Sequence, residues 1–160
     1  MAGAKLESRK AAILAYVENV GPYDKVPWDV YMEKLYDFAK AKKVMPGFYP
    51  LGIYYDSPST TDMDKLRCDI AIPIYKQVKG EGDIKVKKLP AMKVATISHK
   101  GSGEEYVNTY RKLHDWIKEK GLVVVGPPME IYTKKPKVVK GMTILYSKVM
   151  MPVKKVTEKK

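Results

Sequence analysis

Residues 92–136, MKVATISHKGSGEEYVNTYRKLHDWIKEKGLVVVGPPMEIYTKKP, decide the fold. Residues 92–99 are rich in β-formers and read as a strand. Ser102-Gly103-Glu104-Glu105 has the spacing of a capping box, and its two acids suit the N-terminal end of a helix dipole. Tyr106, Tyr110, Leu113, Trp116 and Ile117 then recur at three and four residues, the period of a helix with one apolar face, and Gly121 ends it. Residues 126–135 and 143–153 complete the segment as a β-hairpin.

The first half of the chain carries the same pattern. Residues 95–101 (ATISHKG) echo residues 15–21 (AYVENVG), 80 positions earlier. Residues 113–116 (LHDW) echo 35–38 (LYDF) at 78, and 128–132 (PMEIY) echo 50–54 (PLGIY) at 78. A strand over residues 4–20 leads into a helix on which Trp28, Tyr31, Met32, Leu35, Phe38 and Ala39 form the apolar stripe. Short strands over 51–56 and 66–75 follow, and Pro73 places the latter at an edge or a strand end. The expected fold is α+β: a duplicated β-α-β-β unit giving an eight-stranded antiparallel sheet with two main helices and pseudo-twofold symmetry. Residues 1–153 form one domain on this reading, with repeats over about 4–76 and 84–153, a linker over 77–83, and a basic disordered tail over 154–160.

Composition narrows the function classes. No apolar run reaches the ~18–20 residues of a membrane-spanning helix. Charges stand where the apolar core of a signal peptide would lie, so a cytoplasmic location is expected. Cys68 is the sole cysteine, which excludes an intrachain disulfide and a cysteine zinc cluster. No histidine pair has metal-ligand spacing and no cofactor motif is present, so neither a metal nor a cofactor is expected. The net charge of +12 is lopsided: residues 1–80 hold 12 Lys and Arg against 10 Asp and Glu, residues 81–160 hold 18 against 8. Lysines dispersed over strands and a helix read as a solvated basic face, without a specific nucleic-acid site.

The motifs resemble the GyrI-like small-molecule-binding domain, also called the AraC-type effector-binding domain. In the first half these are Ala15-x5-Gly21-Pro22-Tyr23, Ile53-Tyr54-Tyr55-Asp56-x-Pro58 and Lys65-Leu66-Arg67-Cys68-Asp69. In the second they are Val94-Ala95-x-Ile97-x-His99-x-Gly101, Tyr110-x2-Leu113-x2-Trp116 and Gly126-Pro127-x3-Ile131-Tyr132. The resemblance spans residues 4–153. It implies an aromatic-rich cleft between the repeats that takes a small molecule; in multidrug-sensing members this is a lipophilic cation caged by rings and a buried glutamate. Some free-standing relatives use that carboxylate to hydrolyse electrophilic toxins, and the region of residues 54–69 is similar to the DNA gyrase inhibitory protein.

The leading expectation is therefore a drug-like or amphipathic aromatic ligand bound by a sensor, sequestering or effector module with no DNA-binding domain of its own on this chain. A hydrolase and a modulator of gyrase or another DNA-associated partner are the alternatives. Candidate ligand-binding residues are Trp28, Tyr31, Tyr54, Tyr55, Asp69, Tyr110, Trp116, Glu130, Tyr132 and Lys148. Twelve tyrosines against two phenylalanines favour a cleft with polar handles over plain core filling. Two departures from the family pattern stand out. Lys148 occupies the family's acidic position in the last strand, whereas its repeat mate Asp69 is still acidic; in the cleft Lys148 favours an anionic ligand or a pairing with Asp69. Gly101-Ser102-Gly103 replaces Gly-Pro-Tyr, leaving Tyr106 to fill the space. Carboxylate chemistry has Asp69, Glu130 and Glu18 to draw on.

Overall fold

A computed structural model describes residues 3–156, which comprise two α-helices and nine strands. In chain order they are β1 (Lys5–Arg9), β2 (Ala12–Val20), α1 (Trp28–Ala41), β3 (Leu51–Tyr54), β4 (Arg67–Ile74), β5 (Lys85–Leu89), β6 (Met92–Gly101), α2 (Tyr106–Glu119), β7 (Leu122–Val124), β8 (Met129–Val139) and β9 (Met142–Lys155). All the strand pairings within the units described below are antiparallel, and the class is α+β as expected.

The chain divides into two compact units that do not follow the expected repeat boundaries. One is Lys10–Ala91. The other joins residues 3–9 to residues 92–156. The reason lies in how β1 and β5 pair. β5 pairs with β2 in the first unit (Ala12 opposite Leu89), while β1 pairs with β6 in the second (Lys5 opposite Thr96).

In the Lys10–Ala91 unit the strand order is β3-β4-β2-β5. Alternation along β2 and β4 turns Ala15, Val17, Cys68, Ile70, Ile72 and Ile74 into a core that Leu35, Phe38 and Ala39 of α1 cover. Cys68 is buried there, as a small hydrophobe. Pro73 lies beyond the end of β3, whose pairing with β4 stops at Ala71, so its missing N–H breaks no ladder there. In the other unit the order is β1-β6-β9-β8, with Ala95, Ile97, Val149, Met151 and Val153 beneath Leu113 and Ile117 of α2.

Two expectations are corrected. The strand count is nine, because Leu122–Val124 forms β7 against Val153–Lys155 of β9. Gly121, with φ of 72°, ends α2 and lets the β-branched run turn straight into that pairing, with Leu122 buried. For the same reason Lys154 and Lys155, assigned to a disordered tail, belong to β9; residues 157–160 of that tail lie outside the described residues. Among the described residues no helix is long and apolar enough to cross a membrane.

Candidate functional site

The capping signal positions the site in the second unit. Glu105 accepts a hydrogen bond from the Ser102 backbone N–H (2.7 Å), fixing the start of a 3-10 turn, Gly103–Glu105, that runs into α2. That entry angle lays Tyr106 and Tyr110 over the sheet. Glu130 projects from β8, where it stands opposite Val149, and is only 8% exposed. Its two carboxylate oxygens are each held by a phenol: the Tyr110 hydroxyl donates to Oε2 (2.6 Å) and the Tyr132 hydroxyl to Oε1 (2.7 Å). Tyr132 reaches it from the same strand because residues two apart share a face; Tyr110 comes from the helix above.

Burial pushes the Glu130 carboxyl above its ordinary 4.5, and the two phenol hydrogen bonds pull against that rise without cancelling it. Tyr106 is raised as well, first by burial and then by the charge of Glu130. Its hydroxyl shares a 2.6 Å hydrogen bond with Ser147 Oγ, and its ring stacks on His99 with centroids 3.7 Å apart and planes 11° from parallel. Tyr106 thus lies between His99 and Ser147. His99 Nε2 lies 3.1 Å from the Ser102 carbonyl oxygen, which can only accept, so Nε2 carries a proton; Nδ1 is 2.7 Å from Thr109 Oγ1. His99 is therefore a packed, hydrogen-bonded partner of the tyrosine wall. A buried carboxyl ringed by tyrosines serves chemically as counter-ion to a desolvated cation or, with its raised pKa, as a base in a dry site.

The first unit has a different arrangement at the matching positions. Gly52 stands where Glu130 does, and the ring of Tyr54 lies across it: a Cβ on Gly52 would come within 2.6 Å of the Tyr54 hydroxyl. Tyr54 in turn packs edge-on against Tyr23 (centroids 4.9 Å, 73°). The Tyr23 hydroxyl lies 2.8 Å from both the Asp56 and the Arg67 carbonyl oxygens, and burial pushes it up to about 12.

Asp69 and Lys148, 79 positions apart in sequence and opposite in charge, are both tied down within their own units. Asp69 is buried, and its Oδ2 accepts from Lys87 Nζ and from the Tyr55 hydroxyl, each at 2.5 Å. Lys87 spans from β5 to β4 over the Tyr16 ring of β2, 4.3 Å from its centroid. Burial lowers the Lys87 pKa, but the hydrogen bonds to Asp69 and Tyr55 outweigh it and the net shift is upward. Lys148 donates to Glu7 Oε1 at 2.7 Å, and Glu7 Oε2 accepts from Thr96 Oγ1 at 2.9 Å. Here the carboxylate crosses from β1 over Thr96 of β6 to β9. Glu7 and Lys87 are 80 positions apart, Thr96 and Tyr16 also 80, Lys148 and Asp69 79. The same three-strand crossing thus occurs twice with its polarity reversed. The residue in the middle changes to suit, a ring face under the ammonium and a hydroxyl under the carboxylate. Lys148 therefore has an acid of its own in Glu7, and the pairing with Asp69 weighed from the sequence is replaced by this one.

Of the sequence candidates, the structure brings Tyr110, Glu130 and Tyr132 together in one unit, and Tyr55 with Asp69 in the other. Trp28 and Tyr31 pack on the core of the first unit, where the Tyr31 hydroxyl donates to Asn19 Oδ1 (2.8 Å). Trp116 lines an open groove of about 410 Å³ with Leu6, Lys120, Gly121, Leu122 and Lys155, a lining that does not include Glu130. Glu18 is exposed and paired with Lys85 (2.8 Å). Sequence reading named Tyr106 but missed its partner Ser147 and the Glu7 partner of Lys148; the 80-residue offset of Glu7 from Lys87 was the available signal. Among the described residues, no group of three His, Cys, Asp or Glu side chains is placed to hold a metal ion.

Solved structures with this architecture include the EcmrR C-terminal domain (TM-score 0.81, 20% identity, covering 98% of this chain and 99% of that one). A hydrolase from Listeria innocua superposes with a TM-score of 0.72 at 14% identity, over 94% of this chain and 91% of that one. SAV2435 bound to tetraphenylphosphonium does so with 0.55 at 13%, over 94% and 93%. At such identities the likeness is one of fold. No curated protein sequence matches the chain. The profile of the GyrI-like small molecule binding domain matches residues 5–154, nearly the whole length. On that match, the chain belongs to the GyrI-like small-molecule-binding domain family.

Proposed function

We propose that the chain binds an amphipathic aromatic small molecule at Glu130, preferring a cation, and serves as a sensing, sequestering or effector module. The observation that carries this reading is the buried Glu130 carboxyl held by two tyrosine hydroxyls and walled by Tyr106. An incoming cation with aromatic substituents would meet both a counter-ion and ring faces, the latter contributing about 2 kcal/mol or more when desolvated. Binding would favour the ionised carboxylate, so uptake of a cation near the raised pKa of Glu130 releases a proton.

The test is calorimetric titration with tetraphenylphosphonium, the ligand named for the structural neighbour SAV2435, against tetraphenylborate of nearly the same shape and opposite charge. The cation is expected to bind more tightly, and Glu130→Gln is expected to weaken it by about tenfold or more, a loss of ~1.4 kcal/mol, while sparing the anion. If neither ion binds below millimolar, or if Glu130→Gln leaves the preference intact, the reading fails.

A second reading, hydrolysis of an electrophilic small molecule, draws on the raised carboxyl pKa beside two phenol donors, and on the fold of the Listeria innocua hydrolase. Asp69 and Glu18 are engaged by lysines, which leaves Glu130 as the carboxyl suited to act as base. Turnover that persists undiminished in Glu130→Gln would exclude this mechanism.

A further inference from the structure

The outer part of the β8–β9 hairpin is built differently from the rest of its sheet. Residues 133–143 are eleven consecutive exposed positions, so here the two strands contact each other and leave both faces open. From residue 133 to the turn the ribbon extends about 23 Å, at ~3.3 Å per residue. The turn itself is tight: Lys140 and Gly141 both have positive φ (51° and 78°), the two-residue geometry that matches strand twist. Two register shifts, between Tyr132 and Lys134 and between Lys134 and Lys137, each put an extra residue into β8 and bend the ribbon as it leaves the sheet.

Its chemistry is one-sided. Lys134, Lys135, Lys137 and Lys140 are all exposed, and residues 133–143 contain no acid. At its base, Lys134 and Lys100 both lie over the Tyr146 ring (5.3 and 6.0 Å to the centroid), so a fifth lysine, from β6, extends the cationic track onto the sheet. An exposed apolar ribbon end is otherwise an aggregation hazard; Val138 (71% exposed) and Met142 (53%) sit at this one on either side of Lys140 in sequence.

We propose that this ribbon is an arm that grips duplex DNA by its phosphates. Charge complementarity carries the assignment: four like charges spaced along a narrow ribbon with no acid among them match a regular polyanion. A two-stranded antiparallel ribbon is also one of the two elements a major groove of about 12 Å admits. The arm has no Arg, Asn, Gln or acidic side chain, and its lysines act as point charges on phosphates, so its binding is expected to follow backbone charge more than base sequence. An anionic bilayer is the lesser fit. Interfacial anchors use Trp, Phe or Leu over a broad face, and residues 133–143 contain none of them.

The experiment is fluorescence anisotropy of a labelled mixed-sequence 20-base-pair duplex across a salt series. It compares the full chain, the variant K134A/K135A/K137A/K140A, the variant K135A/K137A/K140A that leaves the Tyr146 contact alone, and a control, K25A/K40A/K76A/K79A, with the same net charge as the quadruple arm variant. Each lost phosphate contact removes about 0.9 from the slope of log affinity against log salt. The quadruple arm variant is expected to lose about 3–4 from the slope and ~100-fold or more in affinity near 0.1 M salt, and the triple variant about three-quarters of that slope change. The control should keep most of the slope, and thermal unfolding should show all four proteins folded. Equal losses in arm and control variants would assign binding to bulk charge and overturn the proposal. So would an unchanged slope in both arm variants, or arm-dependent binding to phosphatidylserine vesicles with arm-independent binding to the duplex.

Discussion

Reversing the Glu7–Lys148 pair tests whether the two crossings are the same device with opposite polarity. The pair is a 2.7 Å charge-assisted hydrogen bond whose side chains remain 28% and 33% exposed. Two unit charges near 3 Å attract by roughly 5–6 kcal/mol at an effective dielectric of ~20, but partial hydration and the ordering of a long lysine offset most of that. A coupling of about 1–2 kcal/mol in a double-mutant cycle is expected, above the exposed-pair range and below that of a fully buried pair. Lys148→Glu alone loses this coupling and sets two carboxylates together, for a destabilisation of about 2–3 kcal/mol. Adding Glu7→Lys recreates the polarity of Lys87 and Asp69. It should recover all but about 1 kcal/mol, the residue being the Thr96 hydroxyl deprived of its carboxylate acceptor. Urea unfolding of the four proteins reads these differences from the midpoints at constant m-value. The pH dependence follows from Glu7, whose pKa is held below 4.5, chiefly by its hydrogen bond to Lys148. Its stabilisation is present above the unfolded value and is lost as pH falls through the lower folded value. A coupling below about 0.3 kcal/mol, or a double reversal no more stable than Lys148→Glu, would refute the reasoning.

The Glu130 site has its own pH signature. Because its folded pKa lies above 4.5, the folded state binds the extra proton and stability falls as pH rises from about 4.5 through the raised value; in Glu130→Gln, thermal midpoints should be higher at neutral pH and the slope in that window flatter. Tyr110→Phe and Tyr132→Phe each remove a bond that favours the carboxylate, so each should raise the Glu130 pKa further, observable by carbon-detected NMR titration of the labelled carboxyl. Gly52→Ala drives a methyl into the Tyr54 ring, which cannot retreat without losing its edge contact on Tyr23; a loss of about 1–3 kcal/mol in denaturant unfolding is expected.

Local periodicity made much of this fold legible. The stripes from Trp28 to Ala39 and from Tyr106 to Ile117 located both helices, and Ser102 with Glu105 located the start of the second. Leu122–Val124 escaped because three residues after a helix-ending glycine carry no alternation to read, and their partner lies at the far end of β9. Glu130 and Tyr132 share a face by simple alternation, so half of the carboxyl site was readable; Tyr110 joins only through the packing of α2, which no local pattern encodes. Lys148 looked like an acid lost from the last strand because it was set against the family pattern, without regard to the strand that pairs beside it. The offset of 80 positions also relates Glu7 to Lys87, and the acid that partners Lys148 is Glu7, on a strand no local pattern ties to β9.

The pairing of β1 with β6 and of β5 with β2 also sets the order in which the protein can be completed during synthesis. The Lys10–Ala91 unit holds all its own strands in one uninterrupted run and can close as soon as Leu89 is available to Ala12. β1, by contrast, is made about 90 residues before Thr96 arrives to pair with Lys5, a wait of roughly 5–20 s at ~5–20 residues per second. For that interval it is an unpaired strand, open to any other edge. Its sequence, Lys-Leu-Glu-Ser-Arg, carries three charges and a hydroxyl in five residues, a composition that keeps a waiting strand hydrated. The glutamate that will later hold Lys148 is one of those charges, so the residue that fastens β1 in place is also one that protects it until its place exists.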